Sequence, residues 1–352
     1  MSTQSGDDPG KTLAPFDFDE ALALVRDRGK ALVLMHDNPD PDCMAAAECL
    51  RLLLTARADL DVTVARGGII GRPENRAMVQ VLGLQHVPVD QVDFGAYGVI
   101  AMVDTQPETG NNSLPTGHRI DIVVDHHPLR GPAVRAPWCD IRDTYGASSS
   151  ITYDYLRRAG LMVDSNLATA LLYAIKSETR DLGRESSEHE MAVYQELVPR
   201  ADMEKLHDIA EPKVPAAHFA SLDRALRNAE VRGMLVTANL GDLDYPDLVA
   251  EMADLLLPYE RARWVMCLGQ HAGNVYLSLR TDQEHAHAGG VIRRLVAGKG
   301  AAGGHGMIAG GRMHAQVRSE VELTAIYSEL SEGLARELGM EKERVVPLLA
   351  AR

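Results

Sequence analysis

Apolar runs of strand length alternate with helical patterns along the first half of the chain. Residues 31–35 form a continuous apolar run, a helical pattern follows through 45–54, a second run covers 61–65, and another helical pattern covers 75–82. That alternation predicts βαβ units and a parallel sheet. Two further runs, 99–103 and 120–124, are almost uninterrupted in apolar residues, as strands covered on both faces should be, and each is followed by an aspartate. Helices are expected at 147–159 and 167–175, and the charged stretch 176–190 closes a first domain of residues 17–190.

Residues 191–226 read as a helical connector with a break at Pro212–Pro215. A second domain, 227–345, is expected to hold strands at 233–238, 262–268 and 274–279, a helix at 245–257, a Gly-rich segment at 298–311 and a final helix at 320–338. The whole reads as α/β: a doubly wound, mostly parallel sheet domain followed by a smaller α/β domain. Residues 1–16 are polar and rich in helix breakers, and read as a tail.

Length and composition add limits rather than detail. A chain of 352 residues exceeds what one core organises, and 45% hydrophobic with 24% charged residues is ordinary for globular domains. The net charge of -14 argues against a long basic groove, so no long duplex nucleic acid is expected as partner. A small anion remains compatible, because bound cations reverse the field locally. Four cysteines without C-x-x-C spacing read as reduced thiols. Neither a signal peptide nor an apolar run of about 18 residues is apparent, so a cytoplasmic location without membrane association is expected. A homodimer is left open.

The chemistry gathers at strand ends. Met35-His36-Asp37-Asn38-Pro39-Asp40-Pro41-Asp42 follows the first strand, where open parallel sheets bind ligands. By itself the segment could be a solvated acidic turn capping the next helix through Asp42. Asp104 and the triplet Asp125-His126-His127, however, follow two other strands, so three strands deliver carboxylate and imidazole groups to one sheet edge. Such a mixed oxygen and nitrogen set suits hard divalent cations. Arg72-Pro73-Glu74-Asn75-Arg76 opens a helix where an anion could rest, or is ordinary capping. Residues 146–150, Gly-Ala-Ser-Ser-Ser, either cap a helix or touch substrate. His285 and His287 are expected on an exposed loop.

His36-x-x-x-Asp40-x-Asp42, Val103-Asp104-Thr105 and Asp125-His126-His127 resemble the first three motifs of the DHH phosphoesterase family. Gly303-Gly304-His305-Gly306-Met307-Ile308-Ala309-Gly310-Gly311 resembles the signature of the DHH-associated C-terminal domain. The resemblance is to the branch of bifunctional oligoribonucleases that also dephosphorylate 3'-phosphoadenosine 5'-phosphate, and to RecJ-type exonucleases. It implies two domains with a cleft between them and two divalent ions, Mn2+ or else Mg2+. It also implies one ion on His36, Asp40 and Asp104, the other on Asp42, Asp104 and His126, with Asp104 bridging. The fourth motif of the family reads Thr-Asp-Thr; here Ser177-Glu178-Thr179-Arg180-Asp181 stands in its place, making Glu178 the expected ligand and Asp181 the alternative.

Two such cations activate water for in-line attack on phosphorus. His127 is then expected to bind a phosphate oxygen or assist the leaving group, with Asp125 orienting an imidazole. Arg280, His305, Gly303, Gly304 and Asn75 are the expected substrate contacts. The leading function is hydrolysis of short oligoribonucleotides and/or 3'-phosphoadenosine 5'-phosphate, with a small nucleotide or short single-stranded RNA as partner. The alternatives are a cyclic- or linear-dinucleotide phosphodiesterase and, in a different class, a nucleotide-binding regulatory module that retains the metals.

Overall fold

The computed structural model describes residues 17–130, 135–183, 186–283 and 285–349, the side chain of His305 excepted. Contacts divide the chain into two compact units, one running to Ile70 and from Glu74 to Pro212, the other comprising Gly71–Pro73 and the chain from Lys213. The boundary falls inside the proline-containing break at 212–215.

The first unit begins with α1 (Phe18–Val25), capped by the Asp17 carboxylate on the Asp19 and Glu20 amides. It continues with β1 (Lys30–Leu34), α2 (Pro41–Ala58), β2 (Asp61–Arg66), α3 (Pro73–Leu82), β3 (Val87–Pro88), two 3-10 turns, β4 (Val99–Val103), β5 (Ile122–Asp125) and β6 (Trp138–Ile141). Four helices follow: α4 (Ser148–Arg158), α5 (Ser165–Glu178), α6 (Glu188–Leu197) and α7 (Met203–Ala210). The strands form one parallel sheet in the order β3-β2-β1-β4-β5-β6, the order of doubly wound sheets. Alternation along the strands builds two cores. Ala31, Val33, Ala101 and Val103 pack with α2, α4 and α5 on one face. Leu32, Leu34, Ile100 and Met102 pack on the other under Phe94, Tyr97 and Leu114, so 3-10 turns and the segment before β5 cover that side.

The second unit holds α8 (Ala216–Asn228), β7 (Ala229–Arg232), β8 (Leu235–Asp242), α9 (Leu248–Leu256), β9 (Trp264–His271) and β10 (Asn274–Thr281). Then come α10 (Ala288–Leu295), β11 (Gly300–His305), β12 (Ile308–Met313), α11 (Glu320–Glu337) and β13 (Val345–Pro347). Its seven-stranded sheet runs β11-β12-β10-β9-β8-β7-β13 and is antiparallel except for β8 with β9. Leu235, Met266 and Leu268 face α10 and α11, while Val236, Ala238, Val265 and Cys267 face α8 and α9. The Gly-rich segment is the hairpin β11–β12. Glycine is required where it meets α10: a Cβ on Gly289 would stand 2.0 Å from the Gly304 carbonyl oxygen, and Gly304 itself has φ +147°. All four cysteines are free. Among the described residues no helix is long and apolar enough to cross a membrane.

Candidate metal centre

β1 and β4 are neighbours in the sheet, with Leu34 opposite Met102, and their crossovers leave in opposite directions. Such a switch point opens a crevice at the C-terminal strand ends. Three chain segments fill it. After β1 the backbone passes His36 and a left-handed Asn38 (φ 57°) before entering α2. Asp40 is the N-cap of α2, its Oδ1 accepting the Cys43 amide at 3.0 Å. The capping role that the sequence offered Asp42 as the alternative to metal binding is thus filled by Asp40.

Asp42 instead reaches across to α4, whose own N-cap, Ala147, has no side chain able to serve. Its two carboxylate oxygens accept the Ser148 and Ser149 amides at 2.7 and 2.9 Å. After β4, Asp104 takes a left-handed conformation (φ 55°) that a non-glycine residue adopts at a cost of roughly 1–3 kcal/mol. After β5 come His126 and His127.

These side chains converge on Asp104, which is 3% exposed. Its Oδ2 lies 3.5 Å from His36 Nε2, and its Oδ1 lies 3.6 Å from His126 Nε2. Asp40 Oδ2 is 3.6 Å from the same His36 nitrogen. All three separations exceed a good N–H···O distance and suit donors that share a cation. The far ring nitrogens support this: His36 Nδ1 donates to the Asp37 carbonyl at 3.0 Å and His126 Nδ1 to the Tyr145 carbonyl at 3.2 Å. A carbonyl on Nδ1 selects the tautomer that leaves a lone pair on Nε2, as in metal-ligating histidines. Among the described residues, His36–Cys43–Asp104 and Asp104–His126–His127 each bring three potential ligand atoms within 4.8 Å of one another. Cys43 is the poor member: its thiol points at the Val103 carbonyl, and burial pushes it up to about 12, so it stays protonated.

Electrostatics point the same way. Burial, reinforced by the Asp104 charge, pushes the Asp42 carboxyl up to about 8. Burial disfavours the charged form of His36, yet its contacts with Asp104 and Asp40 hold the imidazole well above its ordinary range. His126 is likewise raised, burial and His127 opposing the pull of Asp104, Asp42 and Glu178. Asp42, His36 and His126 thus retain protons, whereas Asp40, against the effect of burial, is held well below the usual carboxylate range by His36; a divalent cation would take the place of those protons. Carboxylates and imidazoles, with the one thiol withheld, fit such an ion chemically.

The remaining expected residues fall in distinct places. Asp125 accepts His127 N and Nδ1 on Oδ1, at 3.1 and 2.8 Å, and Gln106 Nε2 on Oδ2 at 2.7 Å. Burial opposes charging of His127, but the Asp125 bond pushes it up to about 10. Glu178, the last residue of α5, is close enough for its charge to raise Asp42, His126 and His127. Asp181 is exposed and ion-paired with Lys176. Asn75 is buried, donates to the Pro39 carbonyl at 3.2 Å and leaves Oδ1 without a hydrogen bond. Arg280 is 5% exposed, with Nε 2.7 Å from Asp254 and Nη1 on the Leu279 and Ala309 carbonyls. Gly303 and Gly304 lie in β11; the His305 side chain is outside the described residues. His285 and His287 are exposed, just before α10.

Two supporting residues hold the ligands in roles the sequence did not indicate. Ser148 donates its hydroxyl to Asp104 Oδ1 at 2.9 Å and accepts the His126 amide at 3.2 Å. Gln106 holds Asp125 while its Oε1 accepts the Arg130 amide at 2.6 Å. Within residues 146–150, which the sequence offers as a cap or a substrate contact, Ser148 and Ser149 tie the start of α4 to the Asp42 and Asp104 carboxylates.

Residues 30–175 match the family model described as DHH family, N-terminal domain. An uncharacterized protein, MJ1633, of Methanocaldococcus jannaschii is 32% identical over 271 residues, covering 76% of this chain and 55% of that protein. A probable manganese-dependent inorganic pyrophosphatase of Deinococcus radiodurans is 32% identical over 152 residues, 42% of this chain and 46% of its own length. The chain thus spans about half the length of these relatives. An exopolyphosphatase-related protein from Bacteroides fragilis superposes with a TM-score of 0.72 at 15% identity, covering 93% of this chain and 96% of that one. At that identity the likeness speaks for the fold alone, and it agrees with a parallel-sheet unit followed by a mixed-sheet unit. With the family match lying over the three strand ends that carry His36, Asp104 and His126, residues 30–175 form a DHH family N-terminal domain.

Proposed function

We propose that the protein is a two-metal phosphoesterase acting on short oligoribonucleotides and/or 3'-phosphoadenosine 5'-phosphate. The observation that carries this reading is the pair of Nε2 atoms aimed at the two oxygens of Asp104, at 3.5 and 3.6 Å, each ring fixed by a carbonyl on its other nitrogen. One cation would be held by His36, Asp40 and Asp104, the other by Asp42, Asp104, His126 and Glu178. Mn2+ or Mg2+ bound there would supply a water of lowered pKa and positive charge for the phosphoryl oxygens.

The chain's own groups do the rest. His127, its Nδ1 on Asp125, would carry a proton at Nε2 to the leaving oxygen or hold a phosphate oxygen there. In the second unit the β11–β12 hairpin would receive a terminal phosphate through Gly303, Gly304 and His305. Arg280 enters through that hairpin, since its Nη1 donates to the Ala309 carbonyl of β12. Asn75, with its Oδ1 unsatisfied beside the His36–Asp42 segment, is the first unit's candidate for a donor group on the substrate. A net charge of -14 favours substrates with few phosphates.

Inorganic pyrophosphate is the second reading, on the similarity to the Deinococcus protein, a probable manganese-dependent inorganic pyrophosphatase. Incubation with Mn2+ and four substrates decides between them: RNAs of two to five nucleotides, 3'-phosphoadenosine 5'-phosphate, pyrophosphate and a cyclic dinucleotide. Loss of the short RNAs or release of phosphate from the bisphosphate supports the proposal. Turnover of pyrophosphate or the cyclic compound alone replaces it, and no turnover at all favours a metal-retaining binding module. His127→Gln should lower turnover by about 100-fold with metal binding intact; an unaltered rate removes His127 from the chemistry.

A further inference from the structure

The carbonyl that orients His126 belongs to Tyr145, in a turn between β6 and α4. That turn is closed by Tyr145 N donating to the Arg142 carbonyl at 3.0 Å, and it hangs from β5 through Arg142 N donating to the Asp125 carbonyl at 3.0 Å. Its rigidity comes from the Arg142 side chain. Nε and Nη2 grip Asp140 at 2.8–3.2 Å, and Nη1 reaches Asp154 at 3.0 Å and the Tyr145 hydroxyl at 3.2 Å. The guanidinium also lies 5.0 Å from the centre of the Tyr145 ring. Asp140 is fixed in turn by the Tyr155 hydroxyl at 2.6 Å. The His189 ring packs 4.4 Å from that of Tyr145, its Nε2 3.4 Å from Asp154.

We propose that Arg142 is a positioning residue for the metal centre, acting through the Tyr145 carbonyl to set the tautomer and plane of the His126 ring. The proposal rests on His126 being a ligand. Arg142 contacts none of the ligand side chains. Its planar fork engages two carboxylates, a phenol and an aromatic ring at once, a combination that lysine cannot reproduce. At 3.2 Å the His126–Tyr145 bond is already at the long end for N–H···O. A small shift of the turn would end the preference for Nδ1–H, and the other tautomer has no lone pair on Nε2 for a cation.

The test uses the full chain, with wild type, Arg142→Lys and Tyr145→Phe. Two readouts are needed that mere loss of stability would not move. One is the tautomer of His126 from imidazole 15N shifts in metal-free protein at alkaline pH. The other is Mn2+ affinity from EPR detection of the free ion. Arg142→Lys should give a tautomer mixture at His126 and weaken one of two Mn2+ equivalents by about tenfold, leaving the other unchanged. Tyr145→Phe, which keeps ring and carbonyl, should move both readouts the same way by less.

A folded Arg142→Lys with wild-type tautomer and both affinities intact overturns the proposal, whatever its melting temperature. Should Arg142→Lys fail to fold, unchanged readouts in Tyr145→Phe overturn it. A wild type that binds no Mn2+, alongside a tautomer shift in Arg142→Lys, overturns the metal reading and supports the positioning role.

Discussion

Both sheets bury charge, and they treat it in opposite ways. In the second unit, buried Arg280 is matched by Asp254 and by backbone carbonyls, so its charge is answered within the fold. In the first unit, Asp42 and Asp104 lie almost fully buried with mutual repulsion, and Asp104 faces two imidazoles at 3.5 and 3.6 Å, beyond a good hydrogen bond. A buried charge with its partner in place is consistent with architecture alone. Buried charges of one sign, held apart by their supports, mark a place where something positive must enter.

The largest effect expected from breaking this contrast is at its centre. Asp104→Asn keeps shape and the left-handed backbone but removes the shared charge, and Mn2+-dependent turnover should fall by about 10³-fold, or ~4 kcal/mol of barrier. Near-normal turnover would remove Asp104 as the bridge.

Metal and pH come next. The Asp42 carboxyl rises from 3.8 in a free chain to about 8 in the folded one, and His36 rises above 6.5. Folded protein therefore binds more protons than unfolded protein between pH of about 4 and 8. Metal-free stability should fall as pH rises through that window, while saturating Mn2+ should reverse the slope. At 1,000 times its dissociation constant, Mn2+ should add ~4 kcal/mol, or about 10 °C in Tm. A metal-free melting temperature that climbs with pH in calorimetry contradicts the assignment.

Smaller effects sharpen the comparison. Arg280→Met should destabilise the second unit by ~2 kcal/mol through lost charged hydrogen bonds, as read by urea unfolding. A large change in substrate affinity with full stability would instead make Arg280 a direct contact. Glu178→Gln should weaken Mn2+ binding by about tenfold. Asp181→Ala, at an exposed ion pair, should change stability by less than ~0.5 kcal/mol and metal affinity not at all. Isothermal titration of both variants separates the two residues, and the opposite ranking would move the ligand role to Asp181.

The contrast also explains what the sequence made legible. The parallel sheet was readable because Ala31–Met35 and Val99–Val103 are apolar on both faces, and His36, Asp104 and His126 because each comes just after such a strand; Glu178, at the end of α5, was legible only through the family resemblance. β6 was not, since Trp138-Cys139-Asp140-Ile141 carries a carboxylate whose partners, Arg142 and Tyr155, compensate it only in the folded state. Ser148 and Gln106 were hidden for a similar reason: a serine at a helix start and a glutamine after a strand gain meaning only from the 44- and 19-residue separations their bonds to Asp104 and Asp125 span. α10 was masked by two glycines in its first turn, and β11–β12 by strands too glycine-rich to show hydrophobic alternation. In the second unit, tertiary proximity overrides propensity.

The remote cap of α4 carries a consequence for how the chain folds. Asp42 and Ser148 are separated by 106 residues, so the first donors of that helix are satisfied only after β1, β4 and β5 have come together. Closing so long a loop is an entropic cost met late, as in other parallel topologies. The first turn of α4 should therefore be among the last pieces to gain protection during refolding, with the Ser148 and Ser149 amides exchanging with deuterium long after the body of α2 has ceased to. With Glu178 as a ligand, a nascent chain would have to extend past residue 178 before its crevice could hold both ions, making full cation capture an event of completed domains rather than of growing ones.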